Sequence, residues 1–113
     1  MKKIAIFGST GSIGTQALEV VRANPDKFVV EVLTAHANHE LIIKQALEFN
    51  PNVVVISDES RYQKVKEGLG ATGIKVFAGE DALEGVAGMD IYDIMLAAIV
   101  GYAGLKPTLK AIE

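Results

Sequence analysis

Residues 7–15 read Phe7-Gly8-Ser9-Thr10-Gly11-Ser12-Ile13-Gly14-Thr15, three glycines at a spacing of three directly behind the apolar run Ile4-Ala5-Ile6-Phe7. From Ile13 onward the apolar residues change period. They recur at 13, 17, 18, 20 and 21, with Gln16, Glu19 and Arg22 on the other face. A short apolar run, a glycine-rich loop and a helical period read as strand, loop and helix. In such a unit the first glycine permits a sharp turn, the second lets a pyrophosphate approach the backbone, and the third lets helix pack closely on strand. Gly8, Gly11 and Gly14 suit these three jobs. The N–H groups of Ser12 and Ile13 then fall at the N-terminus of the first helix, where unpaired donors and the helix dipole favour an anion.

The spacing is G-x-x-G-x-x-G, not the commoner G-x-G-x-x-G, and the lysine of a P-loop is missing. Phosphoryl transfer of the P-loop kind is excluded on that ground. A tight turn with no nucleotide remains the alternative to a phosphate cradle, and the hydroxyl residues inside the loop weigh against it.

Outward from the loop the pattern alternates. Asn24-Pro25 ends the first helix, because the residue before proline disfavours the α region. Phe28 to Leu33 is a strand broken only by Glu31, and Leu41, Ile42, Ile43, Ala46 and Leu47 mark a helix stopped at Asn50-Pro51. Val53-Val54-Val55-Ile56 is continuously apolar, as a strand covered on both faces must be. A weaker amphipathic helix over 58–68, a strand at Ile74-Lys75-Val76-Phe77 and a short helix from Asp81 to Val86 follow. Ile94 to Ile99 is a fifth strand, and Leu105 to Ile112 a helix that tolerates Pro107 in its first turn. The expectation is an α/β, Rossmann-type doubly wound parallel sheet, five strands in order 3-2-1-4-5 with helices on both faces. The crevice then lies at the carboxyl ends of strands 1 and 4. The 113 residues read as one domain, 1–113, and the last helix, with no strand to feed, suggests the front of a longer protein.

Bulk composition excludes several classes. A net charge of −3 offers no basic footprint for nucleic acid or an anionic membrane. With no cysteine, disulfide frameworks and cysteine-based metal sites or nucleophiles are ruled out, which fits a reducing cytoplasm. The first apolar stretch ends at Gly8, too short for a signal peptide, and no later run approaches the ~20 residues of a membrane span. A cytoplasmic protein with no membrane or nucleic-acid partner is expected.

The end of the second strand bears on cofactor choice. NAD-specific proteins place an acid there for the ribose 2′-OH. Here the chain reads Leu33-Thr34-Ala35-His36-Ala37-Asn38, and the first acid, Glu40, falls in the next helix. The site is open to a 2′-phosphate, although no Arg or Lys stands in this segment and His36 is its only candidate for positive charge. Asn38 reads most economically as the N-cap of the second helix, a role compatible with cofactor contact.

The stretches "GSTGSIGTQALEVVRANPDKF", "ALEFNPNVVVISDES" and "AAIVGYAGLKPTLKAI" resemble the N-terminal NADPH-binding domain of the 1-deoxy-D-xylulose 5-phosphate reductoisomerase family, enzymes of non-mevalonate isoprenoid biosynthesis. The resemblance implies that Thr10, Gly11, Ser12 and Ile13 wrap the cofactor phosphates, with Ile13 near the nicotinamide. It implies that Ala98, Ile99 and Val100 line the adenosine side and that the segment holding His36 and Asn38 receives the 2′-phosphate. With Gly8 these residues form the expected NADPH-binding set. Many family members carry Gly-Lys-Asn where this chain has His36-Ala37-Asn38, so only Asn38 matches.

By the same resemblance, the full-length enzyme converts 1-deoxy-D-xylulose 5-phosphate to 2-C-methyl-D-erythritol 4-phosphate with NADPH and Mg2+ or Mn2+. The catalytic and metal-binding residues lie beyond the position matched by Glu113, as does any homodimer contact. No residue here is assigned to catalysis or metal; Asp58, Glu59, Glu80 and Asp81 read as helix-start and surface charges. Two other readings stay open: another dehydrogenase with the same glycine spacing, such as a semialdehyde dehydrogenase, and a non-catalytic NAD(P)-sensing module.

Overall fold

The computed structural model describes residues 1–97. Its elements are β1 (Lys2–Phe7), α1 (Ser12–Ala23), β2 (Phe28–Ala35), α2 (His39–Phe49), β3 (Val53–Ile56), a 3-10 turn at Glu59–Arg61, α3 (Tyr62–Gly68), β4 (Lys75–Ala78), α4 (Glu80–Ala87) and β5 (Ile94–Ala97). The helix stops fall where the sequence places them. Asn24 caps α1 through its N–H to the Val21 carbonyl, and Asn50 ends α2 in the left-handed region at φ 51° just before Pro51.

All strand pairs are parallel. Alternate residues of each strand feed opposite faces. Ile4 and Ile6 of β1 and Val54 and Ile56 of β3 pack against Leu18 and Val21 of α1, Ile42 and Ala46 of α2, and Val65 of α3. Ala5, Phe7, Val53 and Val55 pack instead against Leu83, Val86 and Ala87 of α4. Glu31, the one charge inside β2, is accommodated by a bulge. Ile4 pairs with Val30 and Ala5 with Val32, so Glu31 has no partner on β1 and its carbonyl accepts the N–H of Asn52 at 2.9 Å.

The strand order is β4-β3-β2-β1-β5. This corrects the expected 3-2-1-4-5: the fourth strand lies outside β3, and the fifth, not the fourth, lies beside β1. Crossover handedness gives the reason. α1, α2 and α3 share one face, so three right-handed connections step in one direction along the sheet. Among the described helices only α4 crosses on the opposite face, so the reversal falls between β4 and β5. The crevice therefore opens at the carboxyl ends of β1 and β5, with Phe7 in register with Ala97, and not at strands 1 and 4. The expected end of strand 5 at Ile99 and the helix from Leu105 lie outside the described residues. Among the described residues no helix is long and apolar enough to cross a membrane.

Candidate functional site

β1 delivers the chain into the crevice, and the turn begins at Gly8 with φ 86°, a backbone conformation that side chains rarely adopt. Thr34, at the end of β2, holds the turn. Its carbonyl accepts the N–H groups of Gly8 at 3.0 Å and Ser9 at 2.8 Å, and its hydroxyl oxygen accepts from Gly8 N at 3.0 Å. Ser9 is fully buried; its hydroxyl donates to Gln45 Oε1 at 2.7 Å, and Gln45 Nε2 donates to the Ser9 carbonyl at 2.9 Å. One polar side chain of α2 thus clamps the loop from below.

Gly14 seats α1 on the loop. A β-carbon there would stand 2.2 Å from the Gly8 carbonyl oxygen and 2.6 Å from Ser9 Cα. Gly11 differs. Its φ of −79° and ψ of 173° suit any residue, and a β-carbon would meet only the Gly8 oxygen, at 3.6 Å. Nothing within the described residues requires glycine at position 11, so its missing side chain leaves room for a group arriving from outside.

Gly11 is also the N-cap of α1, without a side chain to cap it, and no acid stands in the first turn. The first helical bond is Thr15 N–H to the Gly11 carbonyl at 2.9 Å; among the described residues the N–H groups of Ser12 and Ile13 donate to no protein acceptor. Ser12 is exposed, Thr10 half-buried, and Ile13 presents an apolar side chain that is 63% exposed. Free donors, the positive end of the helix and a cradle that a β-carbon would fill match a pyrophosphate. The residues present fit a dinucleotide.

At the end of β2, His36 is exposed with Nδ1 2.9 Å from Ser57 Oγ. Asn38 caps α2, its Oδ1 accepting the N–H of Leu41 at 3.2 Å. The structure adds a cation that local reading missed. Arg61, in the 3-10 turn after β3, places Nη1 3.5 Å from His39 Nδ1 and Nε 3.9 Å from Asp58 Oδ2. Asp58 caps that turn. The Ser60 hydroxyl and backbone N–H hold its carboxyl below the ordinary carboxylate value, with smaller contributions from the charges of Arg61 and His36.

Glu59 lies in the same turn, and Glu80 and Asp81 open α4, where negative charge complements the helix dipole. Among the described residues no group of three or more His, Cys, Asp or Glu could hold a metal ion. The structure thus brings Gly8, Thr10 and Gly11 of the loop together with Ser12 and Ile13 of the first turn of α1, and places His36 and Asn38 just after the adjacent strand β2. Ala98, Ile99 and Val100 follow β5 and lie outside the described residues.

A doubly wound parallel sheet with a glycine loop and an uncapped helix start at its reversal point defines a Rossmann-type nucleotide-binding unit. The sequence model of 1-deoxy-D-xylulose 5-phosphate reductoisomerase matches residues 4–113, and the chain belongs to that family. It is 50% identical over 112 residues to the reductoisomerase of Phocaeicola vulgatus and 52% identical over 112 residues to that of Bacteroides thetaiotaomicron, in each case 99% of this chain and 29% of the relative. The Zymomonas mobilis reductoisomerase solved in complex with NADPH superposes with a TM-score of 0.93 at 40% identity, over 98% of this chain and 29% of that one. A second reductoisomerase, solved with NADPH, fosmidomycin and magnesium, gives a TM-score of 0.92 at 30% identity over 98% of this chain and 28% of its own. The chain therefore spans less than a third of the length of these relatives.

Proposed function

We propose that this chain is the NADPH-binding unit of a 1-deoxy-D-xylulose 5-phosphate reductoisomerase. The observation that carries the reading is the α1 start: unpaired N–H groups on Ser12 and Ile13 above an unobstructed Gly11, at the point where the sheet reverses. In this reading the loop from Gly8 to Ile13 holds the pyrophosphate, and the exposed side chain of Ile13 lies against the nicotinamide. His36 and Asn38 border the 2′-phosphate, and Ala98, Ile99 and Val100 line the adenosine side.

The whole protein would rearrange 1-deoxy-D-xylulose 5-phosphate to a branched aldehyde and reduce it to 2-C-methyl-D-erythritol 4-phosphate. NADPH supplies the hydride when bound. A divalent metal, Mg2+ or Mn2+, would polarise the substrate oxygens from residues that this chain does not contain. The net charge of −3 supports small-molecule rather than nucleic-acid or membrane partners, and the absence of cysteine suits a reducing cytoplasm. A homodimer would be held through regions beyond this chain.

Calorimetric titration of the full-length polypeptide with NADPH, followed by an assay of NADPH consumption, tests the reading. NADPH should bind, and its oxidation should require both 1-deoxy-D-xylulose 5-phosphate and the metal. A polypeptide that binds no dinucleotide would overturn it.

A further inference from the structure

We infer that Arg61 grips the ribose 2′-phosphate of the bound dinucleotide, supplying from the β3 side the cation that the segment after β2 lacks. The inference rests on the NADPH reading above and adds to it the residue that sets the choice between NADPH and NADH.

Residues 36–40 read His-Ala-Asn-His-Glu, with no permanent cation. A phosphate dianion held there needs one from elsewhere. The β2–β3 ladder continues past both strands: Ser57 N–H donates to the Ala35 carbonyl at 2.9 Å and Asp58 N–H to the His36 carbonyl at 2.8 Å. These bonds lock the turn that carries Arg61 against the segment that carries His36 and Asn38. Arg61 is fixed at its root, its own N–H bonding the Asp58 carbonyl at 3.0 Å.

The guanidinium, by contrast, is loosely held. Its Nε stands 3.9 Å from Asp58 Oδ2, beyond hydrogen-bonding distance, and Nη1 stands at 3.5 Å from His39. Asp58 Oδ1 is taken by the N–H and hydroxyl of Ser60. Asp58 therefore orients Arg61 without saturating a fork that carries five donors. Arg22, at the opposite end of the sheet, shows the contrast: its Nε and Nη2 both bond the Glu48 carboxylate. A half-exposed, under-committed guanidinium is the geometry that a phosphate accepts in bidentate fashion.

Asp58 sharpens the consequence. Its carboxylate, left without Arg61, would repel a 2′-phosphate and tolerate a 2′-hydroxyl. Removing Arg61 should thus act on NADPH and spare NADH.

The experiment measures the affinities of NADPH and NADH for the full-length polypeptide by calorimetry, in the parent, Arg61→Gln and Arg61→Lys, with the melting temperature of each as a check on folding. Arg61→Gln should lose about tenfold or more in NADPH affinity, the size expected for hydrogen bonds to a charged group, with NADH unchanged. Arg61→Lys, which keeps the charge, should recover part of the loss and serves as the reading if Arg61→Gln fails to fold. Equal losses for both cofactors would mark Arg61 as structural and overturn the inference. So would an unchanged NADPH affinity, although NADPH binding by the parent would leave the functional reading intact. A parent that binds neither dinucleotide overturns both.

Discussion

Ser9 and Gln45 bond each other twice: the Ser9 hydroxyl donates to Gln45 Oε1 at 2.7 Å, and Gln45 Nε2 donates back to the Ser9 carbonyl at 2.9 Å. Both residues are buried, so each bond replaces one that water would otherwise make. The pair ties the glycine loop to α2 and thereby fixes the height of the Gly8–Gly11 backbone over the sheet.

Gln45→Leu should expose what that tie is worth. The Ser9 hydroxyl can fall back on the Thr34 carbonyl at 3.3 Å, but the Ser9 carbonyl loses its partner. An unsatisfied buried acceptor costs about 1–3 kcal/mol, and the fallback places the expected loss near the lower end. Urea denaturation of parent and variant measures it. Unchanged stability would show that the clamp contributes nothing.

The two later glycines of the loop should respond in opposite ways. Gly14→Ala drives a β-carbon to 2.2 Å from a backbone oxygen that cannot rotate away. Overpacking of that kind costs about 3 kcal/mol, and the variant should melt early whether or not cofactor is present. Gly11→Ala meets nothing closer than 3.6 Å and keeps an allowed φ, so its stability should stay near that of the parent. Its NADPH affinity should instead drop by an order of magnitude, about 1.4 kcal/mol. Thermal melts paired with NADPH titrations separate the two effects. A Gly11→Ala variant that binds as tightly as the parent removes the cradle.

Among the described residues, local pattern was enough for the elements themselves. Val53–Ile56, apolar throughout, can only be a strand covered on both sides, and Asn24-Pro25 and Asn50-Pro51 stop their helices by sterics that need no tertiary context. The order of the outer strands was not available in that way, because it depends on which face each crossover helix takes. One signal was present. Lys75 puts a charge inside β4, which suits the outer edge of the sheet beyond β3. Thr34 and Gln45 could have been flagged as lone polar residues on apolar surfaces. Arg61 could not, since it reaches the site only through the β2–β3 ladder.

The Arg22–Glu48 pair predicts a pH response confined to acid. The hydrogen bond from Arg22 holds the Glu48 carboxyl below its ordinary value of 4.5. A carboxyl depressed on folding contributes its stability above that ordinary value and loses it as pH falls through the folded-state value. Parent and Glu48→Gln should therefore differ at neutral pH and converge below pH 4.5. Both side chains are exposed, so the gap is small and should narrow in high salt. Melting temperatures across about pH 3–8, at low and high salt, check it. A gap that persisted in acid would mean that Glu48 acts through packing.

Installing a lysine at position 37 tests the geometry of the 2′-phosphate site from the β2 side. The resemblance expects lysine there, and this chain has Ala37, half-buried with its carbonyl accepting the His39 N–H at 2.8 Å. Its φ is not positive, so a longer side chain adds no backbone strain. Ala37→Lys should raise NADPH affinity by a few-fold in the parent, because Arg61 already supplies one cation, and leave NADH unchanged. In the Arg61→Gln background the same substitution meets a phosphate without a permanent partner and an unopposed Asp58, so its gain should approach about tenfold. The inequality is the diagnostic, since two groups that share one ligand are coupled and their effects do not add. Four proteins titrated with two cofactors give the full cycle. Equal gains for NADPH in both backgrounds would place lysine and arginine on different groups, and an equal gain for NADH would move the 2′-phosphate away from this segment altogether.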